Sequence, residues 1–285
     1  MPNVPARVAD RLVSGIKTFQ SIIARAKSRD VNESDTVIIV TDMLSYVFGY
    51  DKYSEITSEF AVRSTFCDLA TKIDGEVQCL IEVKAAGLEL KDAHTKQAVD
   101  YAANQGMDWV VLTNGSVWKV YKVTFAKPVS QELVIEFDFL SLNPKRSEDI
   151  ESLYLLAKEG FQKSALGDYT AQRQALSRFC IGAMLLTDTI VDVIRRELRR
   201  ITPDVRIDSE QIRAVLVQEV IKRDVLEGDK AEEARRKVVK ASNRALRAKA
   251  SAGADCATRT QIDPGSIEQA SATVSSAHES QDRSE

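Results

Sequence analysis

The residues in this chain best equipped for chemistry are Asp68 and the run Ile81-Glu82-Val83-Lys84. Side chains alternate along a strand, so Glu82 and Lys84 share one face while Ile81 and Val83 point into the opposite layer. A carboxylate and an amine on an otherwise apolar strand are costly to bury unless they are paired or used. The preceding run STFCDLATKI leads into VQCLIEVKA across Asp74-Gly75, a strong hairpin signal that sets Asp68 beside Glu82. Two adjacent carboxylates repel, and a divalent cation relieves that repulsion. Hard oxygen ligands favour Mg2+ or Mn2+ over zinc. A neighbouring lysine can orient or deprotonate an attacking water and stabilise charge developing on a phosphate. This is the equipment of metal-assisted phosphodiester hydrolysis. The plain alternative is a structural salt bridge among Asp68, Glu82 and Lys84. The triplet is short: a second one, Glu89-Leu90-Lys91, follows Gly87 and reads as loop or the start of a helix.

Elements on both sides must hold these residues in place. Val8, Leu12, Ile16, Phe19 and Ile23 form one stripe, which predicts an amphipathic helix over 6–27. Asn32 stands at an N-cap position, and the run it opens ends at Gly49, predicting a second, more buried helix over 33–48. Short β-rich runs start near residue 53, helical spacing returns over 92–105, and Gly106 stops it. DWVVLTN and VWKVYKVTF flank Asn114-Gly115, and LVIEFDF reads as one more strand. The fold class expected is α/β, a mixed central sheet flanked by helices.

With these elements in place, a wider set of residues falls into order. Gln97 and Tyr101 lie four apart on one helical face, with His94 one turn earlier. The series Glu33, Asp68, Glu82-x-Lys84 and Gln97-x-x-x-Tyr101, followed by LTNGSVWKVYKV, resembles the N-terminal nuclease domain of the R subunit of type I restriction enzymes. That domain belongs to the PD-(D/E)xK nuclease superfamily, in its Q-x-x-x-Y branch, and the resemblance covers roughly residues 30–125. It implies Asp68 and Glu82 as ligands of Mg2+ or Mn2+ and Lys84 as the catalytic lysine. Glu33 matches the family's first acidic position, which supports the metal. Gln97 and Tyr101 match an accessory element near the DNA backbone or the active-site carboxylates. The Thr113-Asn114-Gly115 turn and Trp118 match the family's following hairpin, where a turn and a core aromatic are the expected roles. Cys67 stands where the superfamily's name has proline. It alternates to the opposite face from Asp68 and is expected to be a buried core thiol.

The implied function is a metal-dependent DNA endonuclease, a restriction or defence nuclease expected to stand alone without its own ATP motor. No G-x-x-x-x-G-K-[ST] loop occurs in the 285 residues, so ATP hydrolysis is not expected of them. A catalytically silent nucleic-acid-binding or partner-recruiting protein with a nuclease-like fold is the competing expectation. The implied partners are DNA and either a second copy or a separate motor or recognition subunit.

Composition bounds the rest. The formal charge is −3, of which 251–285 carries −4, so the remaining residues sum to +1 and charge alone argues for no partner. Four cysteines without a C-x-x-C pair and only two histidines exclude a zinc cluster. Scattered thiols, no signal-peptide core and no long apolar run predict a cytoplasmic protein without a membrane partner. The expected division is a nuclease-like domain over 1–142, a helical region over 143–250 and a disordered tail over 251–285, rich in Ser and Ala. Helices are expected near 148–160, 171–200, 208–226 and 229–249. The last carries eight basic residues against three acidic ones, and a stripe of small residues from Ala231 to Ala248. That pattern fits a helix packed closely on a neighbour, a dimer seam or a helix tracking a DNA backbone.

Overall fold

The computed structural model describes residues 3–62, 65–125 and 129–258. These form two units, Met1–Gln174 and Ala175–Glu285. The first is built on a six-stranded mixed sheet. Helices α1 (Ala6–Ser28) and α2 (Glu33–Tyr46) precede strands β1 (Ile56–Val62), β2 (Thr65–Ile73) and β3 (Glu76–Val83). Helix α3 (Asp92–Gln105) then crosses to β4 (Trp109–Thr113), and β5 (Val117–Thr124) and β6 (Ser130–Asp138) complete the sheet. Strand order follows the sequence, and every pairing is antiparallel except β3 with β4. A parallel pair requires a crossover, and α3 supplies it. The expected α/β class, with helices flanking a mixed sheet, is what the chain forms.

Local sequence explains the joints. Asp74 and Gly75 both take positive φ, 53° and 84°, as a tight hairpin between β2 and β3 requires. Asn32 caps α2 by accepting from the Asp35 amide at 2.9 Å. Gly106 closes α3 in the left-handed conformation, its N–H bonded to the Ala102 carbonyl.

Two cores form on the two faces of the sheet. Leu12, Ile16 and Ile23 of α1 and Val40 and Met43 of α2 pack on Leu69, Ile81, Val83 and Trp118. Ala98, Val99 and Ala102 of α3 pack on Ala70, Leu80, Val110 and Leu112. In β3, Cys79, Ile81 and Val83 therefore face α1 and α2, and Leu80 faces α3. Trp118 is the largest fully buried side chain, between Phe48 and Phe137. It is a core aromatic.

The chain beyond β6 departs from the expected division at 142. Helices α4 (Ser147–Tyr154), α5 (Lys158–Gln162) and α6 (Ala165–Ala175) close the first unit, where Leu153, Tyr154 and Leu166 join the α1 core. The anticipated long helices are also broken into shorter ones. The span 148–160 breaks at 155–157, and 171–200 breaks at Ser177, which caps α7 (Arg178–Leu185), and again at Thr187 before α8 (Asp188–Ile201). Ser177 accepts the Cys180 amide at 3.2 Å, so a hydroxyl that reads as a mid-helix residue is a helix start.

In the second unit, α9 (Ser209–Val215) runs into a π turn at Leu216–Val220, and α10 (Arg223–Leu226) precedes α11 (Asp229–Thr258). Its core holds Val191, Ile212, Leu216, Ile221 and Val225. Helix α11 continues eight residues past 250 into the segment expected to be disordered. Residues 259–285, the rest of that segment, lie outside the described residues. None of the described helices is long and apolar enough to cross a membrane.

Candidate active site

Strands β2 and β3 stay in register from Ile73↔Glu76 to Leu69↔Ile81, with one shift at Thr71/Lys72. Leu69↔Ile81 is the last rung. Beyond it the Val83 amide donates to Oδ2 of Asp68 at 2.7 Å. On its other side β3 is held by the Lys84 amide, which donates to the Thr113 carbonyl at 2.8 Å. A carboxylate has thus taken the position a main-chain carbonyl would occupy in a longer ladder. This fixes Asp68 beside the segment that carries Glu82 and Lys84.

Glu82 and Lys84 are 2% and 7% exposed. Lys84 Nζ lies 2.7 Å from Oε1 of Glu82 and 3.6 Å from Oε2 of Glu33, in the first turn of α2. The second Glu82 oxygen, Oε2, is buried without a hydrogen-bond partner among the described residues. Burial pushes the Glu82 carboxyl up to about 7, with Asp68 and Glu33 adding to the rise against the opposing Lys84 hydrogen bond. Burial likewise raises Asp68, against the lowering effects of the Val83 hydrogen bond and Lys84. For Lys84, burial works downward but is outweighed by the Glu82 hydrogen bond and the surrounding carboxylates, so its pKa is raised. In this arrangement Lys84 stays an ammonium at neutral pH. As an ammonium it can donate hydrogen bonds and stabilise negative charge.

Magnitudes argue against reading this pair as a device for stability. Desolvating each ion costs several kcal/mol. At an effective dielectric of about 20, unit charges about 4 Å apart attract by about 4 kcal/mol. The attraction falls short of the two desolvation costs together, and the unpartnered Glu82 oxygen and the nearby Asp68 charge add further cost.

The loop after Lys84 is tied down by two residues to which the sequence assigned no such role. Thr36 of α2, buried, accepts the Ala86 amide at 3.1 Å and donates to the Asn32 carbonyl at 2.7 Å. Asn114 donates to the Leu88 carbonyl at 2.8 Å while its Oδ1 accepts the Ser116 and Val117 amides. The signal for Thr36 is weak, a hydroxyl one turn into a capped helix. Asn114 was visible only as a turn residue.

Gln97 and Tyr101 are placed differently. Gln97 Nε2 donates to the Tyr101 hydroxyl at 3.1 Å, and among the described residues neither hydrogen-bonds to Asp68, Glu82 or Lys84. His94 caps α3, its Nδ1 accepting the Lys91 amide. Cys67 is fully buried, and burial, with Glu82 and Asp68 adding, pushes its thiol up to about 12. Its position corrects one expectation. It packs with Ala70 and Leu80 under α3, not in the opposite layer. Glu59 has φ 49°, and the Glu59/Asp68 rung is missing from the β1–β2 ladder, so strict alternation fails there.

A comparison of the sequence with known families bears on the same segment. Residues 40–134 match the family of the type I restriction enzyme R protein N terminus. The match to this restriction-enzyme domain spans about a third of the chain. It takes in Asp68, Glu82, Lys84, Gln97 and Tyr101, while Glu33 lies just before it. No curated protein and no solved structure matches the chain significantly. Over those residues the chain is similar to the N-terminal domain of a restriction-enzyme subunit.

Divalent metals serve such domains, and the residues present fit one in part. Two hard-oxygen carboxylates, Asp68 and Glu82, lie near enough to interact electrostatically, and one buried Glu82 oxygen has no hydrogen-bond partner among the described residues. Among the described residues no three His, Cys, Asp or Glu side chains form a ready-made cation site. Glu33, held 3.6 Å from the Lys84 ammonium, is not in a ligand set with the other two.

Proposed function

We propose that this protein is a metal-dependent DNA endonuclease that hydrolyses phosphodiester bonds in restriction or defence. The observation that carries the reading is the buried, unpartnered Oε2 of Glu82, beside Asp68 and next to the Lys84 ammonium. Asp68 and Glu82 would hold Mg2+ or Mn2+, with water completing the shell. When bound, the cation would polarise a phosphoryl oxygen and lower the pKa of water.

The chain's own groups have distinct roles. Asp68, locked by the Val83 amide, presents its remaining oxygen in a fixed direction. Lys84, held charged by Glu82 and Glu33, places an ammonium where charge develops on the phosphate, a stabilisation that is strongest in a water-poor site. Glu33, with a half-exposed side chain at the open end of the site, keeps Lys84 oriented toward the substrate side. Gln97 is exposed on α3, while Tyr101 is half-buried against the core beneath that helix; the Gln97 amide, held by the Tyr101 hydroxyl, would be the group of the two that meets the DNA backbone.

A second reading draws on one observation, the direct Glu82–Lys84 hydrogen bond. If that pair is purely structural, the protein is a nucleic-acid-binding or partner-recruiting protein with a silent nuclease-like fold. Supercoiled plasmid incubated with the purified protein and Mg2+ or Mn2+, with an EDTA control, separates the two. Metal-dependent nicking supports the endonuclease; intact plasmid at high protein concentration supports the silent fold.

A further inference from the structure

Outside the candidate site, the most one-sided feature of the second unit is the charge on α11. From 175 to 228 the chain carries nine basic and nine acidic residues, but from 235 to 250 it carries seven Lys or Arg and no Asp or Glu. The acidic residues of the helix's first half all stand at its start. Glu232 pairs with Arg236 and Glu233 with Lys237. Arg235 is tied back to the Leu226 carbonyl. Lys240 and Arg244 follow Arg236 at i+4 steps on one exposed face, and among the described residues neither has an ion-pair partner. Val239 and Asn243 share that face with them, in one continuous shallow groove.

Helix stability does not explain the pattern. Like charges spaced i,i+4 repel along a helix, and although Glu232 pairs with Arg236, no ion pair among the described residues compensates Lys240 or Arg244. Nor does the helix dipole call for them, because the last turn of α11 contains no basic residue. The small-residue stripe is a separate face: Ala231 is buried, Ala234 and Val238 are half-buried, and α11 packs on α7. The basic row is left to solvent, with side chains rising about 6 Å per step along the axis. A row of this kind is complementary to a polyanion with regularly spaced charges.

We infer that the exposed Arg236, Lys240 and Arg244 face of α11 is a second DNA-contacting surface, which holds the phosphate backbone of duplex DNA. This rests on DNA being the substrate, as proposed above, but it concerns binding and not cleavage. Contacts of this kind carry no sequence information and release counterions, so their signature is salt dependence.

The test uses the full chain and a fluorescein-labelled 24-base-pair duplex, read by anisotropy in EDTA so that cleavage does not enter. The double variant Lys240→Gln/Arg244→Gln is expected to bind about tenfold more weakly at about 0.1 M salt. Its slope of log K against log salt should be smaller by about two, near 0.9 for each phosphate that is no longer neutralised. Lys240→Arg, which keeps the charge, should bind like the parent, and it guards against a trivial folding effect. Unchanged affinity in the double variant overturns the proposal. So does weaker binding with an unchanged salt slope. Plasmid nicking by the parent with Mg2+ is measured separately, so loss of the nuclease reading and loss of this surface give different results.

Discussion

Oδ2 of Asp68 accepts the Val83 amide at 2.7 Å, at the point where β2 and β3 stop pairing through their backbones. One residue therefore ends the ladder and presents a carboxylate to the space that opens there. Asp68→Ala leaves the Val83 amide without its partner, which costs about 1–3 kcal/mol when the group stays buried. Asp68→Asn keeps an acceptor and loses the charge. Urea unfolding should show Asp68→Asn close to the parent and Asp68→Ala clearly lower, while both lose Mn2+ affinity in calorimetric titration. Equal stability of the two variants would mean that the hydrogen bond contributes nothing.

Glu82 makes stability depend on pH in a definite direction. Its carboxyl titrates at about 7 in the folded chain, above the ordinary value of 4.5. Between those values the folded state binds more protons than the unfolded state. Stability from this group is thus full below about 4.5 and is lost as pH rises through 7, by at most about 1.4 kcal/mol per unit of pKa shift. Denaturant midpoints at pH 5 and 8 should differ more for the parent than for Glu82→Gln. Millimolar Mn2+ should restore the parent at pH 8 more than at pH 5, because only the ionised pair holds the cation well. A pH dependence identical in parent and variant would remove Glu82 as its source.

Asn114 ties the loop after Lys84 to the β4–β5 turn through one hydrogen bond, to the Leu88 carbonyl, while its Oδ1 braces the turn by accepting the Ser116 and Val117 amides. Asn114→Ala should destabilise the protein by about 1–3 kcal/mol, measured by urea unfolding. The loop following Lys84 should also exchange its amide hydrogens faster. Unchanged exchange at Ala86 and Leu88 would show that Thr36 alone holds the loop.

The site was legible in the sequence because its logic is local. Asp74-Gly75 sets the hairpin, strand alternation puts Glu82 and Lys84 on one face, and Asn32 starts the helix that carries Glu33. Tertiary partners were hidden for the converse reason. Nothing near Thr36 or Asn114 in sequence announces the backbone groups of Ala86 and Leu88 that they hold. Cys67 was misplaced because regular alternation was assumed along a ladder that the left-handed Glu59 interrupts. In the helical half, Ser177 and Thr187 sit inside continuous apolar periodicity, so capping and helix interior could not be told apart by spacing.

The central claim is that Lys84 is a charge-stabilising catalytic group and not merely half of a salt bridge. Lys84→Ala should lower the rate of metal-dependent plasmid nicking by about 10²- to 10³-fold, the scale of losing one preorganised donor. Mn2+ and DNA binding should stay largely intact, since Asp68 and Glu82 remain. Gln97→Ala should cost less than about tenfold, because an amide orients but carries no charge. The most direct measurement is the single-turnover nicking rate of parent and Lys84→Ala side by side in Mn2+, with metal affinity measured on the same samples. The account predicts a collapse in rate at unchanged metal affinity; a Lys84→Ala protein that cuts as fast as the parent would contradict it.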